Sequence, residues 1–229
     1  MVPYRPDGGW RDRLWAWNRA RWERYAPDCQ LVVGVEPDPT GLFCAASAMN
    51  DAATQATGDI LVTTSCDFIA DPSAVQTAVD TIESGAAPWV ALYGRTAFLD
   101  ETSTRALLED GDDVELVAEQ VVGVNNAVYA FPRGLWDDVG GIDERFRGWG
   151  PEDLALRAAM LTLHPGALVL ANTCLHLWHP RRETGAEAAV SVENHRFFDD
   201  TYGAAIGNVD AMRGVVEAAK ESRRVKVLV

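Results

Sequence analysis

The sequence predicts an α/β fold, a single domain with a mainly parallel sheet flanked by helices. Three observations predict it. Short apolar runs alternate with helix-period segments along the chain. Those runs end in polar clusters, as strands do when they deliver residues to a sheet edge. The 229 residues, 48% apolar and 24% charged, suffice to bury one sizeable core without disulfides.

The elements follow in order. Met1–Arg5 is a short extended stub. Residues 10–25 form a helix, because Trp10, Leu14 and Trp17 recur on one face, with Asp7 as the expected cap. Gln30–Val35 is a short apolar strand and Phe43–Thr57 an Ala-rich helix. Asp59–Thr64 is a buried-type strand ending in Ser65-Cys66-Asp67, and Asp71-Pro72 then opens a helix that runs to about Glu83. Trp89–Tyr93 and Asn126–Phe131 are strands. Pro132–Val139 is a short helix stopped by Gly140-Gly141. Glu152–Leu161 is a helix, Ala167–Ala171 a strand, Leu175–Trp178 a strand end, and the tail from Glu187 is mostly helical. The acidic stretch from Asp100 to Glu115 is a solvated loop or helix face.

Composition excludes several classes. Lys+Arg number 20 against 34 Asp+Glu, a formal net charge of −14. So acidic a surface repels phosphate backbones and disfavours a general nucleic-acid binder. No apolar run reaches the length of a membrane span. The N-terminal MVPYRPDGGW lacks the apolar core of a secretory signal. Cys29, Cys44, Cys66 and Cys174 are scattered with no CxxC pair, which fits a reduced, cytoplasmic chain.

Four segments carry candidate chemistry. Asp67, delivered at a strand's carboxyl end, suits a hard metal ion and equally suits a turn cap. In the stretch Gly140 to Asp153, glycines allow close approach of the backbone to a ligand. Trp149 there offers a flat apolar platform for a sugar ring. Glu152 and Asp153 open a helix, whose dipole is expected to keep them ionised as a general base requires; a Gly-rich loop followed by ordinary helix N-terminal acids fits the stretch equally well. His176 and His179 stand three apart on an extended segment, so they are expected to face opposite sides, leaving His176 as the ligand and His179 as a structural histidine. The N-terminal helix interleaves Arg and Trp; only Arg5, ahead of the helix, is assigned to a site.

These segments, in this order, resemble nucleotide-sugar glycosyltransferases of the GT-A fold, closest to the galactosyltransferase and N-acetylgalactosaminyltransferase branch. Val2-Pro3-Tyr4-Arg5 resembles the first-strand nucleotide motif, Ser65-Cys66-Asp67 the D-x-D motif, Gly140 through Asp153 the GGFDE…GWGGED motif, and Leu175 through His179 the late metal-binding histidine. The resemblance covers roughly residues 1–180; residues 181–229 are then a C-terminal loop and helical tail on the same domain. It implies a Rossmann-like GT-A domain that moves a hexose (Gal, GalNAc or Glc) from a UDP-sugar to an acceptor hydroxyl with inversion. It implies Mn2+ or Mg2+ on Asp67 and His176 and Asp153 as the catalytic base. Pro3, Tyr4, Arg5, Glu36, Ser65 and Cys66 would contact the nucleotide. Asn125, Asn126, Trp149 and Glu152 would contact donor sugar or acceptor, with His179, Arg181 and Arg182 as further candidates. The acceptor would be a glycan, protein or small molecule rather than DNA. Ser65 stands where the family has its first Asp, and Pro151 where it has a glycine. A retaining transferase on the same fold and a catalytically weak binding domain remain open; retaining relatives typically carry Asn where this chain has Asp153.

Overall fold

A computed structural model of the protein describes residues 1–37, 41–111, 114–123, 127–180 and 186–227. Its elements, in order, are β1 (Val2–Pro3), α1 (Trp10–Tyr25), β2 (Val33–Gly34), α2 (Ala45–Gln55), β3 (Ile60–Val62), β4 (Phe68–Ile69), α3 (Pro72–Glu83), β5 (Val90–Ala91) and β6 (Arg95–Leu99). They continue with α4 (Glu101–Asp110), β7 (Ala118–Gly123), β8 (Tyr129–Pro132), α5 (Arg133–Val139), α6 (Glu152–Leu163), β9 (Leu168–Val169), β10 (Thr173–His176), α7 (Ala186–Phe198), a π turn (Asp199–Gly203) and α8 (Val209–Val227). The fold is α/β, as expected. Asn126, expected to start a strand, and the acids Asp112 and Asp113 lie outside the described residues.

The sheets are mixed rather than mainly parallel. One runs β3-β8-β5-β9, a second β4-β10-β6-β7, and β1 pairs with β2. Strand β8 lies between β3 and β5 and opposes both, whereas β1/β2, β5/β9 and β6/β10 are parallel. The reason is the path of the chain. No single helical crossover joins β5 to β8; the chain leaves to build β6, α4 and β7 in the second sheet, and returns in the opposite sense. Two bonds tie β1 to β3: the Met1 amino group donates to Val62 O (2.7 Å) and Thr64 N donates to Met1 O (3.1 Å).

Local chemistry explains the helices that frame the site. α3 starts where Asp71 accepts from Ser73 N (2.8 Å), with Pro72 in the first turn. Asp7 does not cap α1. The cap position is Gly9, and the reach-back comes from Asp12, whose carboxylate accepts from Asp7 N (3.0 Å) and Gly8 N (2.9 Å) as well as from Tyr4 Oη. Leu14, Trp10 and Trp17 pack with Ile69, Leu99, Leu107 and Leu177, so α1 lies against the second sheet. The Ala-rich face of α2 lets β2 approach so closely that a Cβ on Gly34 would stand 1.7 Å from Ala48 O. The largest core surrounds Trp89, Tyr129, Phe131, Trp136, Phe146 and Met160. Tyr202, Met212 and Val216 from the C-terminal elements belong to the same cluster. Among the described residues, no helix is long and apolar enough to cross a membrane.

Candidate metal and nucleotide site

Asp67 follows the end of β3 and is buried. Its turn is pinned from α1 by Asn18, whose Nδ2 donates to Phe68 O (2.7 Å) and Cys66 O (3.3 Å). From the other side, Leu177 N donates to Asp67 O (2.8 Å) and brings the end of β10 alongside. Ser65 Oγ donates to Asp67 Oδ1 (2.5 Å). The other oxygen, Oδ2, faces His179 Nε2 at 3.1 Å, Arg11 Nη1 at 3.7 Å and His176 Nε2 at 3.9 Å. Burial alone would raise the Asp67 carboxyl; the two imidazoles and the guanidinium outweigh it and hold the group well below the usual carboxylate range. Burial pushes His176 down, toward the neutral form that a metal ligand needs.

Both histidines therefore reach Asp67, which corrects the expectation that only His176 would. Strand alternation governs β10 only as far as His176; residues 177–180 are not in a strand, and His179 swings onto the same side. The two rings lie 5.4 Å apart between centroids, and Phe98 (4.7 Å) and Phe68 (4.9 Å) hold the His176 ring in place. One ligand atom from each of Asp67, His176 and His179 falls within 4.8 Å of the others. A carboxylate oxygen with two imidazole nitrogens is a donor set for Mn2+ or Zn2+, with coordination positions left for substrate. The residues present fit a divalent cation.

The sequence missed Arg11. It lies in the first turn of α1, among arginines read as a solvated face, and its proximity to Asp67 depends on how α1 packs on the second sheet. Cys66 moves the other way. Its thiol was expected at the nucleotide, but it is buried in the core with Val2 and Trp15, and burial pushes it up to about 12. Cys66 shapes the site through its backbone.

A second cluster joins the ends of β1 and β2. Arg5 pairs with the buried Glu36, donates to Gly41 O (2.9 Å) and stacks over the Phe43 ring at 5.2 Å. Arg147 Nη1 approaches the other Glu36 oxygen at 3.8 Å, which brings in the loop before Trp149. Pro3 pairs with Gly34 at this edge, and Tyr4 turns its hydroxyl to Asp12.

The third group is the segment from Gly140 into α6. Asn50, buried on α2, donates to Ile142 O (2.8 Å) and Glu144 Oε1 (3.0 Å) and accepts from Ile142 N (3.0 Å). Asn194 on α7 donates to Arg147 O (2.7 Å) and Trp149 O (2.9 Å), fixing the loop beneath Trp149, which is 58% exposed. Glu152 and Asp153 open α6. Contrary to the helix-dipole expectation, both carboxyls are raised, because burial costs their charged forms more than the dipole returns; for Glu152 the adjacent Asp153 charge adds to the rise. Glu152 Oε2 is buried and finds no hydrogen-bond partner among the described residues. Asp153 acts electrostatically on the Tyr129 phenol, and Tyr129 is tied to Thr63 at the end of β3 (Thr63 N to Tyr129 O, 2.9 Å). Asn125, Asn126, Arg181 and Arg182 lie outside the described residues.

No family profile matches the chain, and no curated protein sequence does. Among solved structures, it is similar to a mannosyltransferase from Pyrobaculum calidifontis in complex with GDP-Man and Mn2+: 18% identity, 90% of this chain, 61% of that one, TM-score 0.46. It is also similar to glucosyl-3-phosphoglycerate synthase from Mycobacterium tuberculosis in complex with Mn2+ and UDP-glucose: 16% identity, 73% of this chain, TM-score 0.40. The chain spans 55% of the length of the synthase.

Proposed function

We propose that this chain is a divalent-metal-dependent glycosyltransferase of the GT-A type that moves a hexose from a UDP-sugar to an acceptor hydroxyl with inversion. The observation that carries the reading is the convergence of Asp67, His176 and His179, with ligand atoms within 4.8 Å, at the end of β3. The Arg5–Glu36–Arg147 cluster beside the ends of β1 and β2 supplies polar groups for a nucleotide. The motif order from Pro3 to His179 supports the same reading.

In this mechanism Asp67, His176 and His179 hold the cation, Mn2+ or Mg2+. When bound, it contributes positive charge to the leaving diphosphate. Asp153 accepts the proton of the attacking acceptor hydroxyl. Burial brings its pKa nearer neutrality, and a base is most effective when its pKa lies near the working pH. Glu152, raised further, is the proton-bearing partner and donates a hydrogen bond to the acceptor. Trp149 stacks on the acceptor's apolar face. Pro3, Tyr4, Arg5, Glu36 and Ser65 line the nucleotide side; Asn125 and Asn126 are assigned to the donor sugar, and Arg181 and Arg182 to the diphosphate. Residues 181–229 belong to the same domain.

The test is calorimetry of UDP- and GDP-sugars with Mn2+ or EDTA, followed by turnover of wild type and Asp153→Asn. Donor binding is expected only with metal. Asp153→Asn should keep that binding and lose on the order of 10²–10⁴ in rate, the usual size of a general-base contribution. NMR of the product should show the β anomer. Equal donor affinity in EDTA refutes the metal assignment; an α product selects the retaining mechanism. A second reading, a binding domain without transfer, draws support from Ser65, whose hydroxyl engages one Asp67 oxygen where the family has a second carboxylate. Metal-dependent binding without transfer or hydrolysis of any UDP-sugar selects it.

A further inference from the structure

One cation at the proposed donor site has no task in the mechanism above. Arg11 stands in the first turn of α1 with its side chain 38% exposed, and its Nη1 lies 3.7 Å from Asp67 Oδ2 and 3.9 Å from Cys66 Sγ. The contact to the carboxylate is long for a guanidinium. Arginine presents five N–H donors in a planar fork, and its bonds to oxyanions run at about 2.7–2.9 Å. The oxygen it approaches is also the crowded one, since His179 Nε2 (3.1 Å) and His176 Nε2 (3.9 Å) face the same Oδ2. A divalent cation held by these three ligands requires a lone pair of that carboxylate and repels a guanidinium so close by. Of the neighbouring arginines, Arg5 pairs with Glu36 and Arg13 lies over the Trp10 ring, while Arg147 stands 3.8 Å from the other Glu36 oxygen.

We propose that Arg11 is a phosphate-binding residue for the donor's diphosphate, its guanidinium competing with a divalent cation for Asp67 and turning onto the diphosphate when the cation takes that carboxylate. The inference rests on the metal and nucleotide reading given above. It adds a residue and an order of events: Arg11 opposes the metal when it binds alone and favours the metal and diphosphate together. Removing its charge must therefore move two affinities in opposite directions. A residue that merely braced Asp67 would lower both or neither.

The experiment uses the full chain and two calorimetric titrations. The first is Mn2+ alone; the second is methylenediphosphonate into Mn2+-loaded protein, a probe with the diphosphate charge and no base or sugar. Arg11→Met should bind Mn2+ about three- to tenfold more tightly, because a like charge beside the ion is gone. It should bind methylenediphosphonate at least about tenfold more weakly, the usual loss for a charge-assisted hydrogen bond. Arg11→Lys, which keeps the charge without the fork, should match wild type for Mn2+ and bind the diphosphonate about threefold or more weakly. Arg13→Met should match wild type in both titrations. Unchanged diphosphonate binding in Arg11→Met, or weaker Mn2+ binding, overturns the proposal; should that variant fail to fold, wild-type diphosphonate affinity in Arg11→Lys overturns it. Absence of Mn2+ binding to wild type would instead sink the metal reading, and the exchange with it.

Discussion

Replacing Asn50 with alanine should destabilise the protein severely without touching the cation ligands. Asn50 is buried on α2 and stitches the Gly140–Phe146 segment through both backbone groups of Ile142 and through Glu144. Alanine would leave the Ile142 N–H and C=O without these partners. A buried polar group left unsatisfied costs about 1–3 kcal/mol, so the pair costs about 2–6 kcal/mol. In a chain of this size about 1 kcal/mol moves Tm by about 2–4 °C, which puts the expected drop at about 4–24 °C. Asn50→Asp sharpens the test. It keeps the acceptor for Ile142 N but sets a carboxylate against Ile142 O and the Glu144 carboxylate. Its cost should therefore be smaller at pH 5, where the new acid can be protonated and donate, than at pH 8. Urea unfolding at both pH values, with a Mn2+ titration of the folded variants, reads all of this. A loss below about 1 kcal/mol for Asn50→Ala, or an Asn50→Asp cost that does not vary with pH, would refute the claim that this side chain holds the loop.

Two further outcomes follow from the site. His176→Ala and His179→Ala should each weaken Mn2+ binding in calorimetry by tenfold or more, since each removes one of three ligands; wild-type affinity in His179→Ala would return that residue to a structural role. Glu152→Gln should stabilise the protein at neutral and alkaline pH. The folded-state pKa of Glu152 is raised above its ordinary 4.5 by burial, so the stability it contributes is complete below that value and is lost as pH rises through the folded-state pKa. Melting curves of wild type and variant should nearly coincide at pH 4 and separate by about 2 °C or more at pH 8, with the variant higher. Coincident curves at both ends would refute the burial argument.

Much of the fold was legible because its signals are local. The periodicity of Trp10, Leu14 and Trp17 and the Asp71-Pro72 start gave α1 and α3 the bounds the structure has, Trp10–Tyr25 and Pro72–Glu83. Strands β4, β6 and β7 were not anticipated. Two-residue β4 exists only through its pairing with β10, and β7, almost wholly exposed, carries no buried face to generate alternation. In the site, Asp67 and His176 could be found because a strand end announces them. His179 and Arg11 could not: one depends on where β10 stops, the other on how α1 packs against a sheet that was itself unseen. The carboxyls of Glu152 and Asp153 show a different failure, in which a correct local argument about the helix dipole was outweighed by desolvation from the tertiary structure.

The acidic stretch, read as a solvated face, has an inner side. In α4, Ser103, Thr104 and Leu107 are buried; Thr104 Oγ1 accepts from Trp178 N (2.8 Å), the residue before His179, and Arg105 lies over the Trp10 ring, which meets Trp178 edge-on. Divergence within this helix should therefore be lopsided. Glu109 and Asp110 are free to drift among polar residues, while position 104 admits little beyond the two small hydroxyl side chains, because a change there releases the segment that aims His179. A library of variants scored for Mn2+ retention would show tolerance recurring with the period of the helix, a functional imprint on a segment whose composition advertises only solubility.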